Sequence, residues 1–361
     1  MIDAPRRVRT PDFTIAMVVP LQGTAGLFGP SCEAMSELVV RDLNRDGGIL
    51  GREVKAVLVD GGDEPGRVAA EVGTLISQGR IDAVTGWHIS SVRHALAPVV
   101  ADRVPYVYPA LYEGGETRGG IYCGGETPRL QIEPALRWMR ENLGSRRWFV
   151  VGDDYVWPRR SSVAVQTFAR ELDLDIVGQA FVDLGDHKIK QVIAKIANTD
   201  CDGVLMLLVG HDAVAFNRCF AEAGLDQRLV RFTPFMDENM VMASGAAATA
   251  NLFVSASYFR SLVDANSMDL TSRYYALHGA GGPPISVVSE SCYEGGYLLA
   301  NLIERAGSAA VADIDAAMDG MAYEGPRGTV EFRGRRAHQA VHLAAGNGLD
   351  LEIVTTLAPL G

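Results

Sequence analysis

The sequence is poor in the features that mark several classes of protein. Its five cysteines are scattered, odd in number and without a CxxC spacing, so neither a disulfide framework nor a zinc site is predicted and we expect buried thiols. No run approaches the roughly 18 apolar residues of a membrane-spanning helix. Basic residues are outnumbered 33 to 44 and form no block, so direct nucleic-acid binding is not expected.

The N-terminus offers little that would direct export. Its positive charges precede an apolar run, Phe13 to Val19, that is short and ends at Pro20, which favours a first strand over the core of a signal peptide. We interpret residues 1–11 as a disordered or extended leader. If Met1 is the native start, the expected location is the cytoplasm. If a signal peptide has been removed, the expected location is the periplasm or, with a lipid anchor, the outside of the cell.

Motifs of the common enzyme classes are missing as well. The chain has no GxGxxG after its first strand, no phosphate-binding P-loop, no HExxH and no GxSxG. His338 and His342 are four residues apart, but they lie where we predict irregular or strand structure, and no third metal ligand is near. The sequence therefore predicts no cofactor and no metal, and it favours a binding protein over an enzyme on an α/β scaffold.

What the chain does have is enough apolar residues, 48% of 361, for two cores in domains of roughly 150 residues each. Strand-like runs alternate with amphipathic helical segments almost from end to end, a pattern typical of parallel sheets covered by helices. Two such units follow each other. Helices at about 270–277 and 288–306 have no place in the second unit, so we expect the chain to return to the first.

Polar and aromatic residues follow several predicted strands, at the edge where open parallel sheets bind ligands. A serine that begins a helix, as Ser90 does after the strand 81–86, offers its hydroxyl and free backbone N–H groups to a carbonyl or carboxylate oxygen, unless it only caps its own helix. Flat aromatic walls are typical of ligand clefts, although any single tyrosine could belong to the core. The residues that we expect to line a cleft are Trp87, His88, Ser90, Tyr108, Ala110, Tyr155, Trp157 and Gly210.

One string, Asn44-Arg-Asp-Gly-Gly-Ile-Leu-Gly-Arg52, followed by Asp60 and Asp63-Glu-Pro65, resembles the first helix and second strand of the branched-chain amino-acid-binding proteins of ABC transporters, in the type I periplasmic-binding-protein family. The resemblance spans about residues 13–345. It is sharper to the urea- and short-chain-amide-binding branch, through Tyr108-Pro109, Tyr112-Glu-Gly114, Asp154-Tyr-Val-Trp-Pro-Arg159 and His338. A soluble member of that branch is a cytoplasmic amide sensor that holds an RNA-binding antitermination protein.

By position, the resemblance implies that Ser90 and Tyr155 hydrogen-bond the ligand from opposite lobes, with Tyr108 as an aromatic wall. The chain departs from the branch at His88, where amide and urea binders have a polar aromatic residue, and at Ala110, where the amide sensor has a threonine. Amino-acid-binding members use a small hydroxyl residue near position 110 for the carboxylate and an acid in the second lobe for the ammonium group. Ala110 lacks the first, whereas Asp237 or Glu238 could supply the second.

We therefore expect an α/β fold of two Rossmann-like lobes that close like a Venus flytrap. The three hinge crossings are predicted near residues 124–128, 254–258 and 325–332. They divide the chain into an N-terminal lobe, 12–124 plus 256–328, and a C-terminal lobe, 125–255 plus 329–361.

The favoured function is a sensor that closes on a small amide-like molecule and signals to a regulatory partner, such as an RNA-binding antitermination protein. The alternative is the substrate-binding component of an ABC importer for urea, amides or branched-chain amino acids, with a permease as partner. Association as a homodimer is left open.

Overall fold

The computed structural model describes residues 12–185 and 188–357. The leader predicted at residues 1–11 lies outside the described residues. Within the described ranges, no helix combines the length and the apolar character needed to cross a membrane.

The first lobe is built on a five-stranded parallel sheet. In chain order its strands are β1 (Phe13–Val19), β2 (Val54–Asp60), β3 (Ala83–Thr85), β4 (Tyr106–Tyr108) and β5 (Ile121–Cys123). They lie side by side in the order β2-β1-β3-β4-β5. The helices between them are α1 (Gly29–Arg45), α2 (Pro65–Ser77) and α3 (Ser90–Val100). Strand β1 is an almost continuous run of buried apolar residues, as expected of a strand covered on both faces.

The second lobe begins with another parallel sheet. Its parallel strands are β6 (Arg147–Asp153), β7 (Asp175–Val182), β8 (Gly203–Leu207), β9 (Val230–Thr233) and β10 (Leu252–Ala256). The helices of this part are α4 (Pro128–Leu143), α5 (Val156–Glu171), α6 (Ile189–Ala197), α7 (Gly210–Glu222) and α8 (Glu238–Ser244). Strand alternates with helix here as in the first lobe, which agrees with the predicted pattern.

After β10 the chain returns to the first lobe. The returning helices are α9 (Ala265–His278), α10 (Val287–Ala306) and α11 (Val311–Ala317). Helix α10 packs on α1, β3 and β4. The approach is close because two glycines face the contact: a Cβ added at Gly295 would lie 2.3 Å from Thr85 Oγ1, and one at Gly296 would lie 2.8 Å from a Val39 methyl.

A small antiparallel sheet follows α11. Its strands are β11 (Ala322–Gly325), β12 (Gly328–Arg333) and β13 (Arg336–His338). It stays on the first lobe, because Arg335 donates hydrogen bonds to the carbonyl oxygens of Arg118 and Ile121 and pairs with Asp315. Only then do β14 (Val341–Asn347) and β15 (Asp350–Leu357) join the second sheet as an antiparallel hairpin, giving the order β15-β14-β10-β9-β8-β6-β7.

The chain thus crosses between the lobes at residues 124–127, 257–264 and 339–340. The third crossing lies later than the predicted 325–332. The physical reason is a hairpin: Gly325 pairs with Gly328, and the positive φ of Gly328, +91°, turns β12 back onto β11 instead of sending it to the second sheet.

Candidate ligand-binding site

A small cavity lies where the carboxyl ends of the two parallel sheets face each other. It is lined by residues that follow β3, β4, β6, β8 and β9: Trp87, His88, Ile89, Ser90, Tyr108, Ala110, Leu111, Tyr155, Trp157, Val209 and Phe235. Seven of the nine predicted site residues are therefore brought together. Gly210 and Asp237 lie outside this lining.

The first-lobe wall begins with a turn that only glycine accommodates. Gly86 has a φ of +116°, and a Cβ there would lie 2.4 Å from the carbonyl oxygen of Val18. Helix α3 starts directly afterwards, with Ile89 as its N-cap and no side chain capping it, so Ser90 is not a helix cap. The Ser90 hydroxyl is buried and makes no well-formed hydrogen bond to the described residues.

The backbone at the start of α3 is unpaired as well. The N–H groups of Ser90 and Ser91 make no hydrogen bond to the described residues, whereas those of Val92 and Arg93 bond the Ile89 carbonyl oxygen. Together with the Ser90 hydroxyl, they form a set of donors at the positive end of a helix. Such a set suits a carbonyl or carboxylate oxygen.

His88 lines the cavity, but its ring belongs to the scaffold. Its Nδ1 lies 3.0 Å from the Val18 carbonyl oxygen, which can only accept, so Nδ1 carries the hydrogen. Nε2 then accepts from the Tyr106 hydroxyl at 2.6 Å. Burial lowers the pKa of His88 to about 4, so the ring is neutral near pH 7. The Tyr108 hydroxyl donates to the His88 carbonyl oxygen at 2.7 Å, which leaves the Tyr108 ring as wall.

The charged groups next to the first-lobe wall do not themselves line the cavity. Arg93 pairs with Glu113 and with Glu116, at 2.5 Å each, and His94 lies 2.6 Å from Glu113. Burial alone would raise the pKa of Glu113, but the hydrogen bond from His94 and the charge of Arg93 outweigh it and lower the pKa to about 2. The Ser90 hydroxyl also lies beside this carboxylate and lowers its pKa.

The second-lobe wall is aromatic. Tyr155 is the N-cap residue of α5, and burial, with a smaller contribution from the charge of Asp153, raises the pKa of its hydroxyl well above the usual value. Phe235 is fixed by Thr233, whose hydroxyl bonds both the N–H and the carbonyl oxygen of Phe235. The Phe235 ring stacks on Trp87 of the first lobe, with centroids 5.4 Å apart and an angle of 13° between the planes.

This stacking shows that the lobes are closed on each other. Helices α3 and α5 are also in contact, and the His211 N–H donates to the Thr24 carbonyl oxygen at 3.0 Å. Gly210 serves the same closure: its φ is +55°, and a Cβ there would lie 2.1 Å from the Thr24 oxygen. Gly210 therefore allows backbone to approach backbone between the lobes, which corrects its predicted place in the cavity wall.

Asp237 differs from expectation for another reason. Its Oδ1 accepts from the N–H of Met240 at 2.9 Å, and its Oδ2 accepts from Asn239 at 3.0 Å, so the carboxyl caps α8. Glu238, the other acid considered, accepts from the N–H of Arg260 at 2.8 Å. Neither lines the cavity, and among the described residues that do line it none is charged at pH 7.

Four lining residues escaped the sequence analysis: Ile89, Leu111, Val209 and Phe235. Val209 and Phe235 follow strand ends, so the same positional rule could have found them. Apolar side chains at strand ends usually belong to the core, so their residue type carries no signal for a ligand site.

Comparison with known proteins agrees with this architecture. The family model described as periplasmic binding protein matches residues 12–345. A curated relative, the Leu/Ile/Val-binding protein BraC3 of Rhizobium johnstonii, is 24% identical over 199 residues, which are 54% of this chain and 53% of that protein. The aligned part thus spans about half the length of that relative.

Two solved structures share the fold over nearly their whole length. A solute-binding protein of an ABC transporter from R. palustris, in complex with benzoate, has a TM-score of 0.82 and 19% identity, covering 96% of this chain and 97% of that one. The branched-chain amino acid transporter substrate-binding protein LivJ from Streptococcus pneumoniae, in complex with isoleucine, has a TM-score of 0.82 and 18% identity, covering 95% and 99%.

Proposed function

Because this chain belongs to the periplasmic binding protein family, we propose that it is the substrate-binding component of an ABC importer. This is the alternative that the sequence analysis kept beside the sensor. The relatives reported above are described as binding proteins of transporters or of amino acids, which supports the importer and gives the sensor no support. On this proposal the protein works outside the cytoplasm.

We further propose that its ligand is a small aromatic carboxylate. One observation carries this choice: the Ser90 hydroxyl, which makes no well-formed hydrogen bond to the described residues, shares the cavity lining with the aromatic residue Phe235, and no acid is among the lining residues. The donors suit a carboxylate, and the positive helix end favours its charge. The rings of Trp87, Trp157 and Phe235 supply flat apolar walls.

The uncharged lining of the cavity argues against an α-amino acid. An amino acid would bring an ammonium group into a lining without a carboxylate. Burying such a charge unpaired costs several kcal/mol.

A neutral aromatic amide is the second candidate, because an uncharged lining does not demand a charged ligand. Its carbonyl oxygen would occupy the place of a carboxylate oxygen at Ser90. Its NH₂ group needs acceptors, however, and the unpaired backbone groups at the start of α3 are N–H donors, so that among these polar atoms only the Ser90 hydroxyl can also accept. We therefore expect an amide to bind more weakly than the matching carboxylate.

Closure follows from contacts to both lobes. Ser90 lies on the first lobe and Tyr155 on the second, so a ligand that bonds both stabilises the closed form by its differential affinity for it. We also propose that the two lobes move as rigid bodies about the crossings at 124–127, 257–264 and 339–340.

A thermal-shift and calorimetric comparison of benzoate, 4-hydroxybenzoate, benzamide, acetamide, urea and isoleucine tests the ligand class. A ligand at 100 times its dissociation constant adds about 2.7 kcal/mol of stability. We expect benzoate or 4-hydroxybenzoate to bind most tightly. Tightest binding of benzamide would select the second candidate, and tight binding of isoleucine alone would refute both.

Uptake separates importer from sensor. Cells lacking the gene should lose high-affinity uptake of radiolabelled benzoate and regain it when the gene is supplied again. Unchanged uptake, together with lost induction of an amide-degrading enzyme, would instead establish the sensor.

A further inference from the structure

A second cluster of buried polar side chains lies away from the cavity, where the chain crosses between the lobes. Arg327, at the tip of the β11–β12 hairpin, forms an ion pair with Glu290 of α10, and both side chains are fully buried. Glu294, one turn further along α10, accepts a hydrogen bond from Tyr323. Glu126, which lies on the first crossing, is also buried.

Hydrogen bonds from this cluster reach all three crossings. Arg327 Nη1 donates to Gln339 Oε1 at 3.5 Å, and Gln339 Nε2 donates to the Gly124 carbonyl oxygen at 3.1 Å. Glu126 Oε1 accepts from the N–H of Ser257 at 2.7 Å. Gly124 and Glu126 lie on the first crossing, Ser257 begins the second and Gln339 lies on the third. We call Glu126, Glu290, Glu294, Arg327 and Gln339 the hinge network.

Packing alone does not explain this network. Buried ions carry a desolvation cost that their attraction often only just repays, and well-packed apolar side chains would serve the core as well. Arg327 contacts one carboxylate, that of Glu290, while the charges of Glu290, Glu294 and Glu126 raise the pKa of its guanidinium and burial raises the pKa of Glu290. Such a network is expected where it fixes one arrangement among several. The segments that it joins are those that must bend together when the lobes open.

We propose that Arg327 and Gln339 are positioning residues that, together with Glu126, tie the three crossings into one unit and so set the balance between open and closed lobes. None of the three lines the ligand cavity. This role holds for any ligand and is independent of the ligand proposed above.

The test compares two buried glutamines. Gln339→Leu removes the hydrogen bond to Gly124, which joins the third crossing to the first, and the hydrogen bond from Arg327. The matched control is Gln131→Leu: Gln131 is equally buried and donates to the carbonyl oxygens of Pro234 and Ser255, both in the second lobe and neither within a crossing. Glu126→Gln is a gentler second variant, because an amide oxygen can still accept from Ser257 while the charge facing Arg327 is lost.

Lobe separation is measured by single-molecule energy transfer without any ligand. Dyes are attached at Met268→Cys on α9 and Val163→Cys on α5, two exposed positions on different lobes, in a background in which the partly exposed Cys219 is replaced by serine. A hydrogen bond contributes a factor of about 2 to 12 to an equilibrium. We expect Gln339→Leu to change the ratio of open to closed molecules by a factor of at least about 2.

The control should lose thermal stability but keep the wild-type ratio, and Glu126→Gln should change the ratio in the same direction as Gln339→Leu. Equal ratios in wild type and Gln339→Leu would overturn the proposal. So would equal changes in Gln339→Leu and Gln131→Leu, because the effect would then be one of general stability. If Gln339→Leu does not fold, an unchanged ratio in Glu126→Gln overturns the proposal in its place.

Discussion

The ligand cavity and the hinge network both contain buried polar groups, but several of these groups are unpaired beside the cavity, whereas most are paired in the hinge network. At the start of α3 the Ser90 hydroxyl and two backbone N–H groups have no well-formed partner among the described residues. In the hinge network, Arg327 bonds Glu290, Ser291 and Gln339, although Glu294 Oε2 has no well-formed partner among the described residues. An unpaired buried polar group costs free energy, and a ligand that accepts from the donors at α3 would recover that cost. The paired groups of the hinge network belong to the fold.

The largest predicted effect is on stability and should come from breaking the ion pair between Arg327 and Glu290. Arg327→Leu leaves Glu290 buried without its cation, and we expect a loss of about 3–5 kcal/mol in the free energy of unfolding, measured by urea denaturation. The double variant Arg327→Leu with Glu290→Leu should recover much of that loss, because no unpaired charge remains. A loss below about 1 kcal/mol in the single variant would mean that water or protonation compensates for the missing cation.

His88 lies at the cavity, but both of its ring nitrogens are hydrogen-bonded, like the polar groups around Arg327 in the hinge network. Its pKa is about 4 when folded and 6.5 otherwise, so the unfolded chain takes up the proton first as the pH falls. The contribution of His88 to the free energy of unfolding should be complete above pH 6.5 and fall by about 3 kcal/mol on acidification to pH 4.

His88→Gln isolates that contribution, because glutamine can donate to Val18 and accept from Tyr106 without titrating. The difference in unfolding free energy between wild type and variant should narrow from pH 7 to pH 4, or change sign in favour of the variant. Parallel pH profiles would show that His88 is not buried as a neutral ring.

Ser90→Ala should separate binding from stability. We expect benzoate affinity, measured by calorimetry, to fall by about 1–3 kcal/mol, the cost of an unpaired buried partner. The unliganded variant should be as stable as wild type or more stable, since an unpaired hydroxyl is removed. Ser91→Ala is the matched control, because Ser91 does not line the cavity, and its affinity should not change. Equal losses of stability and affinity in Ser90→Ala would mean that the Ser90 hydroxyl already has a hydrogen-bond partner within the folded protein.

Tyr155→Phe should have the smallest effect, a loss of about 0.5–1.5 kcal/mol in benzoate affinity, as for one hydrogen bond made across the closed cleft. Tyr274→Phe is its control: the Tyr274 hydroxyl donates to the Pro283 carbonyl oxygen, away from the cavity, so this variant should lose stability and keep its affinity. If Tyr155→Phe instead lost stability and kept its benzoate affinity, the Tyr155 hydroxyl would stabilise the fold and not the bound ligand.

The periodicity of the apolar residues and the order of strands and helices along the chain predicted the fold well. Alternating strands and helices indicated two parallel sheets, and two helices without a place indicated the return of α10 to the first lobe. The strand-end rule placed Ser90, Tyr108 and Tyr155 around one cavity, because the topology of a parallel sheet alone decides where strand ends lie.

Side-chain bonding was harder to foresee. Nothing in the sequence around Asp237 distinguishes a helix cap from a ligand contact, and the inward direction of Phe235 depends on the turn made by Thr233. The third crossing was placed too early because a pairing between Gly325 and Gly328 is a local event that the overall pattern does not record.

The return of α10 has a consequence for biosynthesis. The last strand of the first sheet ends at residue 123, but the helix that covers β3 and β4 begins at residue 287. At a ribosomal rate of about 5–20 residues per second, roughly ten to thirty seconds pass between synthesis of the last strand of that sheet and synthesis of α10, and during this time the apolar face that α10 covers stays exposed. During that interval the parallel strands of the second sheet are completed. The nascent first lobe is therefore the part of the polypeptide that a chaperone would have most reason to hold.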